Sequence, residues 1–85
     1  MTTTETREYH SNLVEDIAAM WSAAVTHKKL GLDMSRRQEP FQLRVELHAA
    51  LAAARNAGVS KTQIRRSLRA AGVSAKAVEN LSFLF

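Results

Sequence analysis

Ala57-Gly58-Val59-Ser60 returns fourteen residues later as Ala71-Gly72-Val73-Ser74. This doublet decides the fold. In each copy glycine suits the left-handed residue that closes a helix. Valine anchors the turn against the core, and serine is a strong N-cap for the next helix. The doublet therefore predicts one helix ending near Ala57, a second over about 61–71 and a third over about 75–84. Short helices joined by such tight corners cannot share an axis. They must fold across one another, as a compact helical unit over about 40–85.

Working upstream, Pro40 suits the first turn of the helix that ends at Gly58. Its inward candidates are Phe41, Val45, Leu47, His48, Leu51, Ala52 and Ala54. Residues 31–39 read as a connection, with Leu32 and Met34 able to tuck onto the core. Before it a long first helix is expected from about Thr4 to Lys29, stopped by Gly31. Tyr9, Leu13, Val14, Ile17, Met20, Trp21, Ala24 and Val25 fall on one broad face at about 100° per residue. Early Glu5 and Glu8 and late Lys28 and Lys29 suit the helix dipole. This helix is longer than a four-turn partner needs. Its surplus apolar face, with Tyr9, Leu13, Ile17, Met20, Trp21 and Ala24, is the candidate for self-association. One proline, three glycines and abundant alanine support an all-α chain throughout.

At 85 residues there is room for one small domain, which excludes a Rossmann unit with a substrate domain, or a barrel. Hydrophobic residues at 46% and charged residues at 24% fit a folded chain rather than a disordered one. Cysteine is absent, which excludes disulfides and thiolate chemistry. No apolar run approaches the roughly 18 residues a membrane helix needs. No basic-then-apolar leader opens the chain. A cytoplasmic protein without membrane contact is the expectation.

The net charge of +4 is unevenly spread. Residues 1–33 carry three basic and five acidic side chains, a net −2. Residues 34–85 carry nine basic and three acidic ones, a net +6. No acid occurs from Leu47 to Val78. The expected organisation is an acidic arm, 1–33, joined to a basic head, 34–85.

Ala54, Gly58 and Ile64 have the spacing of a small residue, a turn glycine and a buried aliphatic. On these residues the stretch 50–69 resembles the helix-turn-helix family of DNA-binding motifs. The resemblance covers about twenty residues and implies that the second motif helix enters a major groove. At 100° steps from Ile64, Leu68 and Ala71 continue the buried stripe, and Arg65, Arg69, Thr62 and Arg66 lie opposite. By position, Lys61, Thr62, Arg65 and Arg66 would face base edges. Ser60, Gln63 and Arg69 would face phosphates. Arg55 and Lys76 would widen the electrostatic footprint. The expectation is a small sequence-specific regulator of double-stranded DNA, bacterial or phage in type, dimeric through its first helix. A charged helix face is often merely solvated, but such faces usually mix signs and this one does not. No aromatic residue lies in the motif for stacking on single strands.

Gly58-Val59, Leu68, Ala77-Val78 and Leu81 are also similar to the ubiquitin-associated three-helix fold. Here Val59 replaces the usual aromatic and the second connection is one residue short. That resemblance implies a protein-binding module. The alternative expectation to DNA binding is a helical protein-interaction module acting through the first helix and the apolar Leu81-Phe83-Leu84-Phe85 end. Catalysis finds no footing. His10, His27 and His48 are scattered, so no metal is expected. Glu15 and Asp16 point apart on a helix. Ser60 and Ser74 are explained by capping, and no Gly-rich phosphate loop occurs, so neither enzyme nor cofactor is expected. Tyr9 and Trp21 read as core or dimer contacts.

Overall fold

The computed structural model describes residues 3–31 and 40–85, with side chains from 6 onward. Leu32 and Met34, expected to tuck onto the core, lie outside the described residues. Four helices run in order: α1 Thr3–Lys29, α2 Pro40–Asn56, α3 Lys61–Ala70 and α4 Ala75–Leu81. A 3-10 turn over Ser82–Leu84 closes the chain. The described residues contain no strand, so the protein is all-α as expected. The last helix, expected to reach residue 84, tightens into that 3-10 turn instead.

Both corners are Schellman motifs, and their hydrogen bonds show why the sequence stops each helix there. Gly58 has φ 92° and donates to the Arg55 carbonyl at 3.1 Å, while Val59 donates to Ala54 at 3.0 Å. Gly72 has φ 94° and donates to Arg69 at 3.0 Å, while Val73 donates to Leu68 at 3.1 Å. Ser60 and Ser74 then accept from the backbone N–H groups of Gln63 and Ala77, at 3.1 and 3.2 Å. Val59 and Val73 are both buried, so each corner is pinned from inside.

α1, at about 40 Å for 27 residues, runs the length of a molecule 43 Å in its longest extent. It packs along both α2 and α3. Val14 and Ala18 enter the same cluster as Leu47, Leu51, Ala54, Ile64, Leu68, Val78, Leu81 and Phe85. Burying each large aliphatic side chain of that cluster contributes about 1.5–3 kcal/mol. The segment expected to be an oligomerisation arm thus supplies part of its own domain's core. Of its six candidates, Ala24 is buried, Ile17 and Trp21 pack on the core, and Leu13 is half-buried. Tyr9 and Met20 remain 61% and 50% exposed.

α2 departs from expectation in which face it buries. Leu43, Leu47, Ala50, Leu51 and Ala54 point inward. Phe41 and Val45, expected inside, are 76% and 53% exposed, and Ala52 is exposed too. The corner explains the choice. The Val59 N–H to Ala54 carbonyl bond sets the end of α2 against the core, and Ala54 is fully buried. Helical spacing counted back from Ala54 passes through 51, 50, 47 and 43, not 52, 45 and 41. The chain end divides likewise. Phe85 docks into the core and Phe83 stands 74% exposed.

Candidate nucleic-acid interface

α3 is placed by the first corner. Its inner side buries Ile64, Ser67 and Leu68. Lys61, Thr62, Arg65, Arg66 and Arg69 are all exposed, as predicted for the basic face. The first turn of α3 holds no acidic residue, only Lys61. Helices usually set a carboxylate there to meet the dipole, so this end of α3 concentrates positive potential.

The nine expected DNA-contacting residues do not form one group. Ser60 and Gln63 lie on the α1 side, in a cavity also lined by Arg7, Glu8, Ser11, Asn12, Gly58 and Val59. Gln63 Nε2 donates to the buried Ser67 hydroxyl at 3.4 Å. Arg65 leans the other way, toward α4. Its Nε stands 4.0 Å from Glu79 Oε1 and its guanidinium lies over the Phe85 ring, 5.6 Å from the centroid. The face that looks unmixed along the chain therefore receives an acid in space. Lys76 is exposed on α4.

Arg55 and Arg69 have a role the motif reading missed. Arg55 Nη1 donates to the Val59 carbonyl at 2.8 Å, and Arg69 Nη1 donates to the Val73 carbonyl at 3.0 Å. Each guanidinium reaches past its own glycine to fasten the chain beyond it. The signal was present: the two arginines stand fourteen residues apart, in step with the glycines, valines and serines. The repeat thus begins at arginine rather than at alanine. Their other N–H groups remain available at the surface. Lys61, Thr62 and Arg66 are the exposed α3 side chains that neither Glu79, the Phe85 ring nor a corner carbonyl engages.

α1 braces both corners. Arg7 Nε is 3.4 Å from where a Cβ on Gly58 would stand. Ser22 donates to the Gly72 carbonyl at 3.4 Å.

Elsewhere, His48 on α2 accepts from Arg44 Nε at 3.4 Å and meets the Phe83 ring edge-on, centroids 6.2 Å apart. Partial burial, and then the Arg44 charge, hold its pKa below the usual histidine value. His10 Nδ1 is buried without a hydrogen-bond partner among the described residues. Among the described residues no three His, Asp or Glu side chains gather to hold a metal ion, and no helix is long and apolar enough to cross a membrane. Comparison with known proteins gives no match: no family profile, no curated protein and no solved structure aligns with this chain.

Proposed function

We propose that the protein is a small double-stranded DNA-binding regulator that lays α3 in the major groove. One observation carries this reading: α3 exposes Lys61, Thr62, Arg65, Arg66 and Arg69, bears no acid of its own, and opens on an N-terminus that no carboxylate of its first turn meets. Arg66, exposed on this face, suits a bidentate contact with guanine O6 and N7. Lys61 and the unbonded N–H groups of the first turn suit a phosphate. Arg55 and Arg69 extend the phosphate footprint from guanidinium groups already fixed on the corners.

Three or four phosphates neutralised this way give a salt slope near −3, so affinity falls roughly 40- to 150-fold between 50 and 200 mM salt. Fluorescence anisotropy on a labelled duplex measures it. The double variant Arg65→Ala, Arg66→Ala is expected to lose most of the binding while keeping its helical circular dichroism. Parent protein that shows no salt-dependent affinity, or a double variant that binds as tightly as the parent, removes the proposal.

A second reading, a protein-interaction module, is favoured by the exposed rings of Phe41 and Phe83. Its mark is a protein partner retained by the same double variant in the absence of DNA affinity.

A further inference from the structure

α1 meets the two corners in step. One cleft lies between α1 and the Gly58 corner, lined from α1 by Arg7, Glu8, Ser11 and Asn12 and across from them by Ser60 and Gln63. A second lies between α1 and the Gly72 corner, where α1 presents Trp21, Ser22, Val25 and Thr26. Each α1 residue of the second set stands fourteen positions after its counterpart in the first, the same step that separates the corners. The long helix thus repeats one seat, about 21 Å apart.

The fold uses the second seat. There Trp21 packs on the core, Ser22 donates to the Gly72 carbonyl, and Thr26 Oγ1 donates back to the Ser22 carbonyl. At the first seat the side chains of Arg7, Glu8, Ser11 and Asn12 have no hydrogen bond or ion pair among the described residues. The cleft there is also the larger, about 350 Å³ against about 170 Å³. The exposed Arg7 guanidinium rests against the turn, its Nε 3.4 Å from where a Gly58 Cβ would stand. Arg55 is fastened to the Val59 carbonyl and Lys61 opens α3. Cations from three helices therefore stand around the first corner, with Glu8 as the acid in its cleft.

We propose that this cleft takes a phosphodiester of the DNA backbone, gripped by Arg7. The inference rests on the reading of α3 as the helix that enters the groove. Gln63 stands about 60° round α3 from Arg66, so the cleft flanks the groove-facing side, where a backbone strand passes. A guanidinium fork matches two phosphate oxygens, and the Ser11 hydroxyl and Asn12 amide can donate to the same group. Glu8 opposes an anion here, which gives the test a second sign. The acidic helix thereby contributes a cation to the interface.

Fluorescence anisotropy of the full chain on a labelled duplex, from 50 to 200 mM salt, tests it. Arg7→Ala is expected to lower the salt slope by about 1 and to weaken binding roughly 5- to 10-fold at 100 mM salt, by the same factor on unrelated duplexes. Its circular dichroism and melting temperature should not change. Lys29→Ala removes the same charge about 33 Å away along α1, beyond several Debye lengths, and is expected to bind like the parent. Glu8→Gln is expected to tighten binding, and it reads the same cleft should Arg7→Ala misfold. A parent without salt-dependent affinity overturns this proposal together with the DNA reading. A parent whose affinity falls in Arg65→Ala, Arg66→Ala but not in Arg7→Ala overturns this proposal alone. So does an equal loss in Arg7→Ala and Lys29→Ala, or a Glu8→Gln variant that fails to tighten.

Discussion

The corner at Gly58 and the corner at Gly72 are made of the same parts. Each has an arginine fastened to the valine carbonyl, a glycine near φ 93°, a buried valine and a serine cap. The helices they launch differ. The first corner opens into Lys61-Thr62-Gln63-Ile64-Arg65-Arg66, the start of ten residues of basic helix. The second opens into Ala75-Lys76-Ala77-Val78-Glu79-Asn80, most of a seven-residue helix that ends in a 3-10 turn. Ile64 and Val78 hold equivalent inward positions. Arg65 and Glu79 hold equivalent outward positions and meet each other. The comparison separates two kinds of information: the corner residues specify geometry and recur, whereas the exposed residues after each serine diverge.

The sharpest test of unequal burden is the inward aliphatic. Ile64 sits in the helix that touches α1, α2 and α4, so Ile64→Ala should cost about 2–5 kcal/mol in denaturant unfolding. Val78→Ala removes less volume at the margin and should cost about 2 kcal/mol. Equal losses would mean that α4 is as central as α3. Next come the glycines. Ala in place of either must adopt positive φ, so Gly58→Ala and Gly72→Ala should each cost about 1–2 kcal/mol. The added methyl meets Arg7 Nε at 3.4 Å in one case and Ser22 Oγ at 3.5 Å in the other, ordinary contacts that keep the two costs alike. A Gly58→Ala loss several times the Gly72→Ala loss would show that α1 presses on the first corner only. Ser60→Ala and Ser74→Ala should rank below these at about 1 kcal/mol each, read from melting curves. Ser74→Ala should also loosen amide protection across α4 while leaving α3 unchanged.

These residues also show what could be read from sequence. The corners were legible because Schellman chemistry is local: glycine, valine and serine settle it within four positions. The outward placement of Lys61, Thr62, Arg65 and Arg66 was legible from helical periodicity around Ile64. The buried face of α2 was not, since Phe41, Val45 and Ala52 have as much apolar periodicity as Leu43, Leu47 and Leu51. Only the direction in which the corner leaves Ala54 decides between them. The corner contacts of Arg55 and Arg69 are easily overlooked, because a basic side chain near a motif reads as footprint, while reaching a carbonyl four residues on depends on the turn. The approach of Glu79 to Arg65 depends on how α4 crosses α3, which no local pattern encodes.

That last pair is where the two units touch, and it carries the smallest stability effect with the most informative sign. The Arg65–Glu79 separation is 4.0 Å with both side chains well exposed. Glu79→Gln should therefore cost at most about 0.5 kcal/mol, vanishing at high salt. If α3 binds DNA, the same change should tighten binding, because Glu79 both holds Arg65 against Phe85 and repels phosphate. Asp16→Asn alters net charge equally from the exposed side of α1, so it controls for the long-range field of the whole molecule. Tightening in Glu79→Gln that exceeds the control, measured by anisotropy at fixed salt, would mean the second unit restrains the first. Equal effects would mean that the two units share a scaffold and nothing more. Weakening in Glu79→Gln would mean the carboxylate aims Arg65 at its target, which makes the second unit part of the binding surface.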